Sequence, residues 1–344
     1  MPPFDKQYPE ALKLPATRNP AENAYIWHPI EGLKIASVFA GTGGLDLGFI
    51  KAGHQIVLAN DWDKDSAQSY IKNIGDHMIC GDVSDIPASK IPSIDVLAGG
   101  LPCQGFSNAN VNKVDGDARN DLYAQFVRII LAKKPKFFLI ENVRGMLSLH
   151  GGEAFRKIVV ALDEAGYDVN YKVLNAADYG VPQTRIRLFV VGVKKTLANR
   201  YRYIFPPPTH SKFPDETGLL PWVSVGEALR DIPEPSADTT LLNHVCSLYK
   251  VTNRNFTGHR NTDGTKPSPT ILARGNAGGG VCAIQHPNNH RRMSVRESAL
   301  IQTFPIDFEF TGKTNSMYRQ VGNAVPVLLA THVARGFQEK IKNV

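Results

Sequence analysis

The sequence predicts an α/β protein: a mainly parallel sheet covered by helices on both faces, joined to a smaller, irregular, strand-rich domain. Three observations carry this expectation. From Leu33 to Val193, short apolar runs alternate with helical stretches at the spacing of strand–helix–strand units, the pattern of a parallel sheet buried on both sides. The first run closes on a glycine-rich turn, as nucleotide-binding units of this class do. After Val193 the regularity breaks up under Pro206-Pro207-Pro208, Pro214, Pro221, Pro233, Pro235, Pro267, Pro269 and Gly278-Gly279-Gly280.

Taken in order, residues 1–32 are rich in Pro, lack clean periodicity and read as an extension on the surface of the main domain. Leu33–Ala40 reads as a strand, closed by Gly41-Thr42-Gly43-Gly44 and followed by a helix to about Ala52. Gln55–Asn60 is a second strand, with a helix from Lys64 to Asn73 behind it. His77–Cys80 leads to Gly81-Asp82, and Ile94–Ala98 leads to Gly99-Gly100. A helix over Asp121–Ala132, a strand Phe137–Ile140, a helix over Glu153–Ala165 and strands at Tyr171–Leu174 and Leu188–Val193 follow. Helical order is expected again at Ser294–Thr303 and at Val325–Lys342. In such folds ligands bind at the carboxyl ends of the strands.

A chain of 344 residues, 42% of them hydrophobic, can bury the core of one large or two moderate domains. No apolar run approaches the ~18 residues of a membrane span. The opening residues lack the basic-then-apolar pattern of a secretion signal, so a soluble protein of the cytoplasm, with no membrane partner, is expected. Cys80, Cys103, Cys246 and Cys282 form no CxxC pair, which argues against a disulfide framework or a metal cluster. The net charge of +7 is uneven: residues 190–300 hold 14 Lys and Arg against 8 Asp and Glu, the remainder 25 against 24. That segment is either a docking surface for a polyanion or a solvated basic face.

Two places carry chemistry. The turn Phe39-Ala40-Gly41-Thr42-Gly43-Gly44 lets a ligand approach the backbone, but its spacing departs from GxGxxG and alone marks a nucleotide-type fold. Asp61 and Asp82 each end a predicted strand; the first suits ribose hydroxyls, the second an adenine amino group. A ligand carrying a positive sulfonium and no pyrophosphate fits flanking Asp46 and Asp61 better than a dinucleotide does. The second place is Gly99-Gly100-Leu101-Pro102-Cys103-Gln104-Gly105-Phe106-Ser107, where glycines flank a thiol on a loop above the sheet, as an exposed nucleophile requires. Cys80, inside an apolar strand, reads as core. Glu141 ends the next strand and comes to the same sheet edge as Cys103. Arg185 and Arg187 alternate onto one face of a strand, where a surface salt-bridge pair is their ordinary fate.

In this order the segments FAGTGGLDLGF (39–49), GDVSDI (81–86), GGLPCQGFS (99–107), ENVRGM (141–146), QTRIRLF (183–189), RRMSVRESALIQTFP (291–305) and QVGNAVPVLLA (320–330) closely resemble the cytosine-5 DNA methyltransferases of bacterial restriction–modification systems. The resemblance implies a Rossmann-like, adenosylmethionine-dependent domain over 33–210 and 315–344, with a target-recognition domain and hinge over 211–314. It implies that Cys103 attacks C6 of cytosine, that Glu141 meets the base at N3 and its amino group, and that Arg185, with Arg187 nearby, holds the O2 side. S-adenosyl-L-methionine would be lined by Phe39, Gly41, Thr42, Gly43, Gly44, Asp61, Trp62, Asp82, Val83, Pro102 and Asn323, with no metal. Because C5 and C6 are closed to attack in a stacked duplex, the base must be flipped out of double-stranded DNA. Gln104, Ser107, Arg254, His259, Arg260 and Arg274 are the candidates for DNA contact. The expected protein is a monomer, with a cognate restriction endonuclease acting independently. One branch of the family methylates transfer RNA, but usually with a shorter recognition segment. A catalytically silent DNA-binding protein is disfavoured because Cys103, Glu141 and Arg185 keep functional residue types.

Overall fold

The computed structural model describes residues 25–101, 121–236, 239–246, 262–273, 284–288 and 291–342. Its centre is a seven-stranded sheet built from β2 (Lys34–Val38), β3 (Gln55–Asp61), β4 (Met78–Cys80), β5 (Val96–Gly100), β6 (Phe137–Val143), β7 (Tyr167–Asn175) and β8 (Ile186–Lys194). The spatial order is β4-β3-β2-β5-β6-β8-β7. The first five strands are parallel, and β8 runs antiparallel to both of its neighbours.

Consecutive strand residues enter opposite cores, so the sheet is buried on both faces. Ile35, Val96 and Phe137 join one core, with Leu45 and Phe49 of α1 (Gly44–Lys51) and Tyr70 of α2 (Lys64–Asn73). Ala36, Leu97 and Phe138 join the other, with Phe126 and Ile129 of α3 (Asp121–Lys133) and Ile158 and Leu162 of α4 (Glu153–Glu164). Each fully buried Phe, Leu or Ile contributes about 1.5–3 kcal/mol, which explains why period-two apolar strands and amphipathic helices settle here. Asp63 caps α2, accepting a hydrogen bond from the Ser66 amide at 2.9 Å.

Beyond β8 the chain forms β9 (Tyr201–Tyr203), the two-residue strands β10 (His210–Ser211) and β11 (Leu220–Pro221), and the short helices α5 (Pro214–Thr217) and α6 (Val225–Ala228). It returns through α7 (Val295–Ile301), α8 (Thr314–Asn323) and α9 (Val327–Ala334). A third core gathers Val225, Ile271, Met293, Val295, Phe304, Phe308, Phe310, Tyr318 and Val321. Ser294 and Glu297 form a capping box at the start of α7, and Arg291 grips the buried Glu297 through two 2.8 Å bonds. Arg296 is wholly buried and donates to the carbonyls of Leu242, Pro305 and Phe308, while Arg292 stacks 3.4 Å from the centre of the Tyr318 ring. Three of the basic residues counted in segment 190–300 therefore hold this core together rather than face a partner.

Three expectations need correction. The helix expected over Val325–Lys342 ends at Ala334. The chain then turns into β12 (Phe337–Lys342), which lies between β1 (Tyr25–Pro29) and β9 in a small antiparallel sheet. Gly336 makes the turn, where a side chain would strike the Ile204 carbonyl. Cys80 is exposed, not core, because β4 is a three-residue strand on the edge of the sheet. Helix α8 was not expected at all.

Candidate functional site

The register of the sheet brings the strand ends together. Val38 lies beside Asn60 and Gly99, Gly100 beside Glu141, and Asp61 beside Cys80. The segments following β2, β3, β4, β5 and β6 therefore share one edge, the edge where such sheets bind ligands.

After Val38 the chain takes three left-handed residues within five, at Phe39 (φ 55°), Gly41 (φ 56°) and Gly43 (φ 91°). The Gly41 amide donates to Asp61 Oδ2 at 2.7 Å and the Asp63 amide to Oδ1 at 2.9 Å, so the carboxylate ties the first turn to the second. Burial raises the Asp61 carboxyl above its ordinary range, opposed by those amide bonds. Gly43 must lack a side chain because the Tyr70 ring lies directly beneath it, and Gly44 packs on the Val325 carbonyl. The turn after Asn323 is thereby pressed against the glycine loop.

Thr42 is buried, and its hydroxyl finds no partner among the described residues. Trp62, 79% exposed, presents its ring to solvent beside Asp61. Asp82 is exposed and caps the turn at Val83–Asp85, its Oδ1 accepting from the Ser84 amide and hydroxyl, which hold its carboxyl low. Val83 points into the core, leaving only its backbone for a ligand. Asn323 is exposed at the end of α8.

Asp46 does not face this cleft. It is fully buried between Ser37 Oγ (2.7 Å) and Tyr70 Oη (2.8 Å), and Tyr70 also lies 3.0 Å from His77 Nε2. Burial pushes its carboxyl up to about 6, the two hydroxyl donors opposing. A raised carboxyl keeps its proton in the folded chain between about pH 4 and 6 while the unfolded chain has lost it. Stability from this group therefore falls as pH rises through that window and stays lower above it. Asp46→Asn keeps the shape: Ser37 can donate to the amide oxygen, and the amide can donate to Tyr70, which turns its proton toward His77. Relative to the parent, the variant should gain roughly 2–3 kcal/mol between pH 4 and 8. Urea denaturation at both pH values checks this, and a pH-independent difference would mean that Asp46 does not titrate there.

The second cluster stands at the ends of β5 and β6. Glu141 is buried, and its Oε1 accepts from Arg187 Nε at 2.9 Å. Arg187 lies opposite Val143 and so diagonal to Glu141 on one face of the β6–β8 pair. A side chain at Gly100 would sit 3.5 Å from Glu141 Oε2 and 3.8 Å from the Phe39 carbonyl. The bare backbone of Gly100 thus faces both the carboxylate and the glycine loop. Asn142 donates to the Leu101 carbonyl at 3.0 Å, anchoring the chain just before Pro102-Cys103.

Arg185 is not on this carboxylate. It precedes β8, is 1% exposed, and bonds the carbonyls of Ile271, Gly322 and Ala324 with its two amino groups, while its Nε finds no partner among the described residues. Neither arginine is a surface salt bridge. Pro102, Cys103, Gln104, Ser107, Arg254, His259, Arg260 and Arg274 lie outside the described residues. Asn142, Gln183 and Gln302 were not singled out from the sequence; only their place inside the motif segments pointed to them. Among the described residues no three His, Cys, Asp or Glu side chains gather as a metal group, and no helix is long and apolar enough to cross a membrane.

The family model of C-5 cytosine-specific DNA methylases matches residues 33–339. The chain is 38% identical over 316 residues to the type II methyltransferase M.NgoFVII of Neisseria gonorrhoeae, covering 85% of this chain and 83% of that one. It is 35% identical over 360 residues to the type II methyltransferase M.BsuRI of Bacillus subtilis, covering 88% and 78%. Its fold is similar to that of a prophage-encoded DNA modification methyltransferase from E. coli, with a TM-score of 0.67, 24% identity and coverage of 89% and 98%. It is also similar to the Dnmt2 methyltransferase of S. pombe, with a TM-score of 0.65, 19% identity and coverage of 88% and 97%.

Proposed function

Because this chain belongs to the C-5 cytosine-specific DNA methylase family, and is a DNA (cytosine-5) methyltransferase, we propose that Cys103 is its nucleophile and that Glu141 and Arg187 grip the target base. The observation that carries this reading is the buried Glu141–Arg187 pair beside Gly100, three residues ahead of the thiol.

The Cys103 thiolate adds to C6 of a cytosine swung out of duplex DNA, and the C5–C6 electron pair moves onto C5. Glu141 delivers a proton at N3, so the ring does not carry a full negative charge. Arg187, held by Glu141, donates to O2; this role moves to it from Arg185, whose two amino groups bond the carbonyls of Ile271, Gly322 and Ala324. Once C5 carries the methyl, the C5 proton leaves, its bonding electrons re-form the C5–C6 double bond, the thiolate is expelled, and N3 returns its proton to Glu141.

S-adenosyl-L-methionine, when bound, supplies the electrophilic methyl. The residues fit it. The orphaned Thr42 hydroxyl and the half-used Asp61 carboxylate offer polar partners, Trp62 an open aromatic face, and Phe39, Gly41, Gly43, Gly44, Asp82, the Val83 backbone and Asn323 the remaining wall. The segment between QTRIRLF and RRMSVRES reads the DNA, with most of its basic side chains on phosphates. Like the type II enzymes it resembles, the protein would protect DNA against a restriction endonuclease that acts independently, working as a monomer in the cytoplasm.

The test is methyl transfer from radiolabelled adenosylmethionine, offering unmethylated genomic DNA and bulk transfer RNA in parallel. Label in DNA is expected, and bisulfite sequencing then locates the target cytosine. Label confined to RNA would overturn the reading.

A further inference from the structure

Four further basic residues of segment 190–300 lie away from the catalytic edge. Lys194 and Lys195 stand at the end of β8, and Arg200 and Arg202 flank Tyr201 of β9. Because β8 runs antiparallel to its neighbours, it ends where they begin. The Lys194 amide donates to the Lys136 carbonyl at 3.0 Å, just ahead of β6, and Lys194 pairs with Tyr167, the first residue of β7. Lys34 opens β2, and its backbone is bonded on both sides to Asp95, just ahead of β5. Glu141 stands five residues beyond Lys136 along β6, roughly 17 Å away.

These side chains form one tract. Lys136 and Arg200 lie 5.3 and 5.2 Å from the centre of the Tyr201 ring. The Lys340 amide donates to the Arg200 carbonyl at 2.8 Å, and Trp27 pairs with Lys340 across the β1–β12 ladder. Arg202 stacks 4.1 Å from the centre of the Trp27 ring. Exposed Lys134 sits in the turn between α3 and β6. Asp95, Asp163 and Glu339 bond Lys136, Lys195 and Arg200, and Glu164 and Asp168 stand near the same edge. With Lys133, nine basic side chains meet these five acids, and no described carboxylate forms an ion pair with Lys34, Lys134 or Lys194.

We propose that this tract is a second docking surface for duplex DNA, which it holds by the phosphate backbone while the catalytic edge holds another stretch. The charge complements the one polyanion that a DNA methyltransferase always meets. One stretch of helix cannot reach both edges of the sheet, because DNA stays stiff over ~150 base pairs. The tract therefore takes a second molecule or a distant part of the same one, and hands the enzyme from one segment to the other without a free intermediate. Backbone contacts of this kind carry no sequence information. The Trp27 and Tyr201 rings are already faced by arginines of the chain itself, which favours a duplex over stacked bases of a single strand.

The experiment follows release of a labelled duplex, carrying the cytosine located by bisulfite sequencing, from the full chain under a chase of unlabelled duplex of unrelated sequence. In the parent at about 50 mM salt the release rate should rise with the concentration of the chase, and this dependence should vanish by about 200 mM. The triple variant Lys34→Gln, Lys134→Gln, Lys194→Gln should lose about 10-fold or more of that dependence. Its kcat and KM on a short duplex should stay within about 2-fold of the parent, because the three lysines lie at the far edge of the sheet. Release that ignores the chase in the parent, or a variant that keeps the parent's dependence, overturns the inference and leaves the enzyme assignment standing. A chase that works as single-stranded RNA and not as duplex DNA also overturns it, giving the tract a different partner.

Discussion

Cys103→Ala is expected to reduce methyl transfer to background while leaving the binding of S-adenosylhomocysteine and duplex DNA in place. In the proposed mechanism the thiol only forms and breaks the bond to C6, so its loss removes the reaction and not the pocket. Cys80, the described cysteine at the same edge of the sheet, cannot stand in. Cys80 ends β4, which lies three strands from β5 and so about 14 Å away across the sheet. Cys80→Ala is therefore the matched control and should keep full activity. A second readout separates chemistry from binding. On DNA carrying 5-fluorocytosine at the target, the proton that must leave C5 is replaced by fluorine, so the parent should stall as a covalent protein–DNA adduct that survives denaturation. The Cys103→Ala variant should form none. Appreciable turnover or adduct in that variant would move the nucleophile elsewhere.

Glu141→Gln should lower the single-turnover rate by about 100-fold or more, with far smaller changes in the affinity for either ligand. The amide is isosteric, and its oxygen can still accept from Arg187 Nε, so the β6–β8 pair persists. What disappears is a carboxyl able to pass a proton to N3. An unchanged rate would remove Glu141 from the chemistry and leave it a structural partner of Arg187.

Much of the fold was legible in the sequence because burial on two faces writes apolar runs into β2, β3, β5, β6 and β8, and one-faced burial writes a helical period into α2, α3 and α4. The edges were harder to read. Met78–Cys80 has the apolar texture of a core strand, yet only its position at the sheet edge decides that Cys80 faces solvent. Val325–Lys342 is apolar enough for one long helix, and what ends it at Ala334 is the approach of Ile204 to Gly336, a contact between residues far apart in sequence. The site divides the same way. Residue types at Asp61, Glu141 and the glycine loop pointed to chemistry because carboxylates and bare backbone at strand ends have few other uses. The division of labour between Arg185 and Arg187 did not show, since period two puts both on one face. Arg185 lies just before β8, where the carbonyls of Ile271, Gly322 and Ala324 claim it. Asp46 carried a plausible charge for a cationic ligand, but its role is set by Ser37 and Tyr70.

The pairing of β1 with β12 bears on how the molecule is made. Tyr25 lies beside Lys342, and α1 packs closely on α9 where Gly48 meets Ala330. On the ribosome, β1 and α1 emerge about 300 residues before these partners exist. At ~5–20 residues per second, that is a wait of roughly 15–60 s. Meanwhile Leu45 and Phe49 can pack on the emerging sheet, but the face that α9 will cover stays open. The turn at Asn323 that presses on the glycine loop through Val325 belongs to the same late segment. A nascent chain therefore holds its strands and its carboxylates before it holds a finished cofactor pocket, and methylation competence should appear abruptly, only after the last helix and strand have left the exit tunnel.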